Sequence, residues 1–279
     1  MLYKIQTWSN ISWSLLCFVF TTVVFSPSVY AEKITIGGTG GALGTMTLMA
    51  QAYHKLNPEI KVIVLPSIGS SGGIKAISNA AIDIGLSSRP LKKSESITGI
   101  KSVEYARSLT IIAVSSQSNI YDISINQLVD IYTGKLLNWP DGMLIRPILR
   151  QPGDDNTKQL KALSPSLKVA VEIADNRPGL LFAATDQETV DKIEKTPGSF
   201  GVTSLALIIS ENRPLRALTL DGVAATPDAI SSGLYPMVNH FYLILPVVIE
   251  PHILDFITFI KSADGAAILV QNGHSIAHK

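Results

Sequence analysis

The stretch VIVLPSIGSSGGIKAISNAAIDIGLSSRPLKKSE, residues 62–95, contains the pattern on which the fold assignment depends. It begins with VIVL, a short apolar run with the β-branched composition of a buried strand. The loop SIGSSGG follows, then IKAISNA, which has the spacing of a helix, and then AIDIGLSS, a second strand that ends in two serines. This order predicts a parallel α/β sheet, whose ligands bind at the carboxyl ends of the strands.

The same order occurs directly upstream, where the strand KITIG is followed by the glycine loop GTGGALG and by the amphipathic helix TMTLMAQAYHKLNP. Three loops are therefore predicted at one edge of the sheet, and they carry hydroxyl groups and backbone amides that glycines leave accessible. Helix N-termini behind the first two loops carry unpaired N–H groups and a partial positive charge, which bind anions. The alternative is that the serines only cap helices and the glycines only serve tight turns. The predicted ligand contacts from this region are Thr39, Gly40, Gly41, Ser70, Ser71, Gly72, Ser87 and Ser88.

The segment GSSGG also fits Gly-x-Ser-x-Gly, the turn that presents a nucleophilic serine in hydrolases. In that hypothesis Ser71 attacks a substrate with the help of His240, His252 or His274. The sequence has no His-Gly-Gly-Gly oxyanion segment, and the neighbouring loops repeat the same chemistry without nucleophile spacing. We therefore predict a binding protein and not an enzyme, with a serine hydrolase as the alternative from another class.

The N-terminus predicts export. A mostly apolar, uncharged run of roughly 15 residues, 11–25, is followed by SPSVYAEK, in which Val29 and Ala31 stand at the small-residue positions of a signal peptidase site. We predict a signal peptide over residues 1–31, cleaved after Ala31, and a periplasmic mature protein. An uncleaved anchor is the alternative, although a membrane-spanning helix needs about 20 residues.

Composition excludes several kinds of site. Cys17, inside the predicted signal, is the only cysteine, so the mature chain would have no disulfide, thiolate metal site or cysteine nucleophile. The net charge is +1, and only 16% of the residues are charged. The sequence therefore predicts no basic stripe, which argues against nucleic acid as a partner. Leu43 stands where a dinucleotide fingerprint requires its third glycine. His274 and His278 fit a polar tail better than a metal site, and we predict no cofactor and no metal.

The motif GSSGGIKAI followed by DIGLSSRPL resembles the phosphate-binding members of the periplasmic solute-binding proteins that serve ABC transporters. The resemblance continues in family order through SINQLVDIYTGKLLNWPDG, KTPGSFGVTSLALI, GLYPMVNHFYLIL and FITFIKSADGAAILVQNGH. It implies a type II periplasmic-binding-protein fold, in which two lobes, each a mainly parallel sheet flanked by helices, are joined by crossing hinge strands and close over a small anion. The implied boundaries are 32–112 for the first part of lobe 1, 113–210 for lobe 2, and 211–279 for the return strand and the C-terminal part of lobe 1.

The resemblance also implies that lobe 2 supplies half of the site through IRPILRQPGDDNTKQLKAL, residues 145–163. The family has an arginine at this place, followed by Gly-Ser-Gly-Thr. Arg150 matches the arginine, and Asn156 or Thr157 matches the threonine, depending on whether the chain has an insertion. Asp154 and Asp155 depart from the pattern; we count Asp154 among the ligand contacts, and the ordinary alternative places Asp155 as the N-cap of a helix.

Ser88 is a second departure, since many phosphate binders have an aspartate there. A carboxylate accepts the proton that phosphate keeps at neutral pH, and it repels sulfate and molybdate, which have none. With a serine at this position, discrimination between phosphate and the oxyanions without a proton is either weaker or depends on Asp154 or Asp155. The identity of the oxyanion therefore stays open. Arg89 either adds positive charge at the mouth of the pocket or is simply solvated.

These observations together predict an exported, monomeric, non-enzymatic protein that captures an oxyanion and delivers it to a membrane ABC permease. Phosphate is the expected ligand. A ligand-sensing subunit, which presents the anion to a membrane receptor, is the alternative within the same fold.

Overall fold

The structure, a computed structural model, describes residues 32–97 and 99–277. The predicted signal peptide over 1–31, with Cys17 and its cleavage site, and His278 lie outside the described residues. Within these ranges, no helix has the length and hydrophobicity needed to cross a bilayer.

The strands follow one another as β1 (Glu32–Gly38), β2 (Ile60–Val64), β3 (Ile84–Ser87), β4 (Lys101–Ser115), β5 (Asp122–Ile123), β6 (Arg146–Leu149), β7 (Leu181–Phe182), β8 (Ser199–Ser204), β9 (Leu215–Ala217), β10 (Thr219–Leu220), β11 (Val238–Leu245) and β12 (His274–Ile276). The helices are α1 (Leu43–Leu56), preceded by a 3-10 turn (Gly40–Ala42), α2 (Gly69–Ser78), α3 (Lys93–Ser96), α4 (Ile125–Thr133), α5 (Asp155–Ala162), α6 (Pro165–Asp175), α7 (Asp186–Lys195), α8 (Leu205–Ser210), α9 (Pro227–Ser231), α10 (Pro251–Ile260) and α11 (Ala263–Gln271).

One sheet runs through the molecule in the order β2-β1-β3-β11-β4-β8-β6-β7. At one end β1 pairs in parallel with β2 and β3, and at the other end β6 pairs in parallel with β7 and β8. Between these parallel groups, β11 is antiparallel to β3 and β4, and β4 is antiparallel to β8. The predicted α/β fold with crossing strands is confirmed.

The long strand β4 connects the two parallel groups. Its residues 101–109 pair with β11, and its residues 110–114 pair with β8. The change of partner falls between Leu109 and Thr110, both fully buried. A single extended strand therefore belongs to both halves of the molecule, while the exact lobe boundaries stay a prediction.

Each half has its own hydrophobic core, and we call the two halves the first and the second lobe. The first core includes Met49, Phe241 and Phe256, and the second includes Tyr132 and Phe200. These side chains are at most 1% exposed, and each stabilises its lobe by roughly 1.5–3 kcal/mol through burial. Separate cores let the lobes hold a cleft between them without sharing a single packed interior.

His274 contradicts the prediction of a polar C-terminal tail. It lies on β12, which pairs with β4, and it is 1% exposed. Its Nε2 lies 2.9 Å from Oγ1 of Thr45, and its ring packs edge-on against Phe241. Burial lowers the pKa of His274 to about 3, so the imidazole is neutral in the fold.

Candidate functional site

A cleft of about 550 Å³ lies where loops of the two lobes face each other. The first lobe contributes the loops after β1, β2 and β3, and the second lobe contributes the loops after β6 and β7. Each loop follows the carboxyl end of a parallel strand, the edge at which such sheets bind ligands. The lining residues are Thr39, Ser67, Ile68, Gly69, Ser70, Ser71, Ser88, Arg89, Lys92, Arg150, Gln151, Gly153, Asp154, Asp155, Lys158, Ala184, Thr185 and Asp186.

The structure brings half of the predicted contact residues to the wall of this cleft: Thr39, Ser70, Ser71, Ser88, Arg150 and Asp154. The others lie behind that wall: Gly40, Gly41, Gly72, Ser87, Asn156 and Thr157. Ser87, for example, is fully buried, and its hydroxyl donates to the carbonyl oxygen of Arg89 at 2.6 Å. Such residues shape the loops that present the lining groups.

Helix α2 presents its N-terminus to the cleft. The helix begins at Gly69, whose φ of 70° lies in the left-handed region that favours glycine. Its N-cap is Ile68, without a side-chain cap bond, so the alternative in which Ser70 or Ser71 caps the helix is wrong. The amides of Ser70 and Ser71 lie in the first turn, where backbone N–H groups have no acceptor within the helix.

The hydroxyls of Ser70 and Ser88 meet at this N-terminus. Their oxygens lie 2.9 Å apart, and the amide of Ser88 donates to Oγ of Ser70 at 3.0 Å. The Ser88 hydroxyl donates to Oδ2 of Asp155 at 2.7 Å. Because Ser88 belongs to the first lobe and Asp155 to the second, this bond joins the two walls of the cleft.

Arg89 is held by an ion pair, so the interpretation as a simply solvated side chain is wrong. Its two terminal nitrogens donate to the two carboxylate oxygens of Glu95, each at 2.8 Å. The guanidinium holds the pKa of Glu95 down at about 2. Nη2 of Arg89 also donates to Oγ of Ser71 at 3.0 Å, so the contact of this serine is a cation and not a general base.

In the second lobe, Arg150 follows β6 and lies buried between two carboxylates. Nη2 donates to Oδ2 of Asp154 at 2.6 Å, and Nη1 donates to Oδ1 of Asp186 at 3.2 Å and to Oγ1 of Thr189 at 3.1 Å. Burial by itself lowers the pKa of Arg150, but the carboxylates of Asp186 and Asp154 outweigh burial and raise it overall. The guanidinium is therefore charged and already paired.

Asp154, and not Asp155, is the N-cap of α5, which corrects the alternative considered for this turn. Oδ1 of Asp154 accepts from the amides of Asn156 and Thr157, at 3.1 and 3.4 Å. Asp155 is the first helical residue, and its Oδ1 accepts from Nζ of Lys158 at 2.9 Å. Burial and the carboxylate of Asp186 raise the pKa of Asp154, against the opposing effect of Arg150.

Asn156 supports the site from behind. Its Nδ2 donates to Oδ1 of Asp186 at 2.8 Å, and its Oδ1 accepts from Nδ2 of Asn239 at 3.2 Å. Thr157 is likewise buried and does not line the cleft. Asn156 therefore helps to hold the carboxylate of Asp186 in place and connects helix α5 to Asn239 of β11.

Asp186, the first residue of α7, lines the cleft although it was not predicted from the sequence. Its N-cap Thr185 accepts from the amide of Glu188 at 3.1 Å, so the sequence TDQE is a helix-start signal that sequence reasoning could have used. Across the lobes, Nε2 of Gln187 donates to the carbonyl oxygen of Gly40 at 3.0 Å. A Cβ on Gly40 would lie 2.4 Å from Oε1 of Gln187 and 2.9 Å from Cβ of Asp186, so only glycine fits this approach.

The cleft carries nearly balanced charge. Its cationic lining residues are Arg89, Lys92, Arg150 and Lys158, and its carboxylates are Asp154, Asp155 and Asp186. Hydroxyls, helix amides and arginines are donors suited to an oxyanion. An anion that enters the cleft has to fit among these three carboxylates, whose charge repels it.

The histidines proposed for hydrolysis have other partners. Nδ1 of His240 lies 2.9 Å from Oε1 of Glu104, Nδ1 of His252 lies 3.8 Å from Oε2 of Glu32, and His274 contacts Thr45. None of the three is paired with Ser71 in the described part of the chain. The fold, two α/β lobes around a polar cleft, is the periplasmic-binding-protein architecture that the sequence implied.

Comparison with known proteins identifies the family. The model of the PBP superfamily domain matches residues 26–264, and the chain belongs to this superfamily. Over 87% of the chain and 89% of the relative, it is 27% identical to "Phosphate-binding protein PstS" of Borreliella burgdorferi. It is 34% identical to "Phosphate-binding protein PstS 2" of Streptococcus agalactiae over 42% of the chain, a match that spans 40% of the length of that relative.

The fold is also that of a substrate-binding protein from Clostridium perfringens, which was solved with bound phosphate. The two chains are 22% identical with a TM-score of 0.73, and the match covers 88% of this chain and 100% of the other. This likeness shows the fold.

Proposed function

We propose that this protein is exported to the periplasm, binds inorganic phosphate between its two lobes as a monomer, and delivers it to the permease of an ABC importer. The family and the near full-length relative from Borreliella burgdorferi support this proposal. The single observation that carries it is the meeting of both lobes in one cleft, where Ser88 bonds Asp155 beside Arg150. A ligand bound there would contact both lobes.

The oxyanion would be held by donors of both walls. The first lobe offers the hydroxyls of Thr39, Ser70 and Ser88 and the first-turn amides of α2, and the second lobe offers Arg150. Charge-assisted hydrogen bonds of this kind contribute roughly 1.5–3 kcal/mol each. The predicted ligand contacts behind the wall would act by shaping these loops.

Asp155 is the carboxylate we propose for discrimination between oxyanions. It stands against Ser88, which replaces the aspartate expected at that position, so the carboxylate comes from the opposite lobe. Phosphate at neutral pH has a proton to donate to Asp155, whereas sulfate has none and would face an unpaired negative charge. Phosphate and arsenate should therefore bind, and sulfate and molybdate should not.

Thermal unfolding with a panel of oxyanions tests this function. A ligand at a hundredfold excess over its Kd stabilises the fold by about 2.7 kcal/mol, and each kcal/mol raises Tm by roughly 2–4 °C for a chain of this size. After unfolding and refolding to remove bound ligand, we expect phosphate and arsenate to raise Tm by several degrees. No shift with any oxyanion would refute the proposed ligand class.

The variant Asp155→Asn tests the discrimination. It should admit sulfate, because an amide can donate where the carboxylate can only accept. The matched control is Asp255→Asn, which makes the same charge change on an exposed residue of α10. If sulfate stays excluded by the Asp155 variant, discrimination lies elsewhere in the cleft.

Export and delivery have their own readouts. Osmotic shock should release a mature form that begins at Glu32. Loss of the gene should lower the uptake of labelled phosphate at micromolar concentration, and normal uptake in its absence would favour the sensing subunit.

A further inference from the structure

One carboxylate already engages the groups that an oxyanion would need in the second lobe. Asp154 accepts two α5 amides through Oδ1, from Asn156 at 3.1 Å and Thr157 at 3.4 Å. Its Oδ2 accepts from Nη2 of Arg150 at 2.6 Å. First-turn amides and a guanidinium are the donors that commonly bind phosphate, and here Asp154 contacts both kinds.

The other side of Arg150 is also engaged. Nη1 donates to Asp186 and to Thr189, and the residue is only 7% exposed. Within the described residues, the buried Nε has no hydrogen-bond partner. An oxyanion that is to use the terminal nitrogens of Arg150 fully must therefore compete with a carboxylate.

Asp154 is the more accessible of the two competing carboxylates. Its side chain is 20% exposed and lines the cleft, whereas the side chain of Asp186 is 9% exposed and is also held by Asn156. Capping of α5 does not require an aspartate at this position, because serine is an equally good N-cap. What the aspartate adds beyond a cap is a negative charge directed at Arg150.

We propose that Asp154 is a built-in competitor of the oxyanion: its carboxylate occupies Arg150 and the α5 amides, and it must release them before an oxyanion can bind there. The ligand class rests on the proposed function. The carboxylate lowers the affinity of the cleft and raises the ligand concentration at which the protein becomes filled. An affinity-determining role is thereby assigned to a residue that departs from the family pattern.

Calorimetric titration with inorganic phosphate tests the competition. Asp154→Ser keeps an N-cap and removes the charge, and it should bind phosphate at least about tenfold more tightly, which corresponds to about 1.4 kcal/mol. Asp154→Asn keeps the shape of the side chain and should also bind more tightly. Asp255→Asn, the exposed control with the same charge change, should bind as the unaltered protein does.

A second measurement reports on the competition directly. In the unaltered protein, bound phosphate should show scalar coupling between its phosphorus and the backbone amides of Asn156 and Thr157 in NMR spectra, because these amides exchange a carboxylate for the oxyanion. A purely structural cap would keep both amides on Asp154, and neither would couple to phosphorus at saturating phosphate. Urea unfolding of each variant identifies any loss of the fold.

The outcomes separate this inference from the proposed function. If the unaltered protein binds phosphate and both Asp154 variants bind it equally or less tightly, the competitor role is overturned and the function stands. If neither the unaltered protein nor the variants bind phosphate, both fail. If only the Asp154 variants bind, the competitor role is supported in its strongest form.

Discussion

Replacement of Arg150 by methionine should destabilise the folded protein by about 3–5 kcal/mol, because it leaves the buried carboxylate of Asp186 and the partly buried carboxylate of Asp154 without their cation. The side chain of Arg150 is 6% exposed, and its terminal nitrogens lie 2.6 Å from Asp154 and 3.2 Å from Asp186. Methionine keeps an unbranched apolar stem of similar length, so little packing is lost. The cost therefore reports mainly the lost charge pairing.

A double-mutant cycle isolates the pair with Asp186. Asp186→Asn is nearly isosteric, and its amide oxygen still accepts the hydrogen bond that Asn156 donates. In the Arg150→Met background this second change should be less harmful, so that the coupling energy is about 1–3 kcal/mol. The matched control pairs Arg150→Met with a change at Asp255, an exposed residue of α10, to Asn, and the two effects should add within about 0.5 kcal/mol.

Urea unfolding followed by tryptophan fluorescence measures these energies. Trp139 is buried against Phe200 and is the only tryptophan outside residues 1–31, so its emission reports the second lobe. With a urea slope near 3 kcal/mol per molar, the midpoint should fall by about 1 M or more. A cost below about 1 kcal/mol, or strict additivity in the Asp186 cycle, would refute the reasoning.

Three further predictions follow from individual contacts. Because burial lowers the pKa of His274 to about 3, below the value near 6.5 of an unfolded chain, the unfolded state binds a proton that the fold excludes. The free energy of unfolding should have its full value above pH 6.5 and should be about 2 kcal/mol lower at pH 5. Urea unfolding of His274→Gln should show a smaller decrease between these pH values, and an equal decrease would contradict this reasoning. Gly40→Ala should hold the lobes apart, because its methyl would meet Cβ of Asp186 at 2.9 Å, and it should weaken phosphate binding about tenfold or more. The methyl of Gly37→Ala meets its neighbours at 3.6 Å, and calorimetry should show that this change is tolerated. Ser88→Ala removes the hydroxyl that joins the walls and should weaken binding by about tenfold; unchanged affinity would place the ligand elsewhere.

The order of elements around the opening stretch was predictable because its signals are local. The two apolar runs form β2 and β3, and the residues of the predicted glycine and serine loop form the first turn of α2. The predicted helix began at Ile74, whereas α2 begins at Gly69. The difference arises because Gly69 adopts a positive φ that lets the chain enter the helix immediately.

The sequence predicted which chemical groups line the candidate site, but it did not predict which charged side chains pair with one another. The first-lobe hydroxyls were found because they follow strands directly in the sequence, as Ser70 and Ser88 do. For Arg89 the choice between a solvated side chain and added charge at the pocket stayed open, because its partner Glu95 lies on the short helix α3 and no spacing rule indicates that contact. Asp186 was missed altogether, since it is separated from Arg150 by 36 positions.

The sequence by itself determined the class of the protein, because buried strands, glycine loops and amphipathic helices are set by the chemistry of neighbouring residues. Only the tertiary structure decided how charge is arranged in the cleft. Arg150 and Asp186 meet because β6 and β7 pair in parallel, which brings the loops after them side by side. Asp154 became the cap, and Asp155 the partner of Ser88, because the start of α5 turns one carboxylate toward Arg150 and the next toward the other lobe. The partner of a buried charge is thus selected by strand order and by the approach of the lobes, which no local pattern of residues encodes.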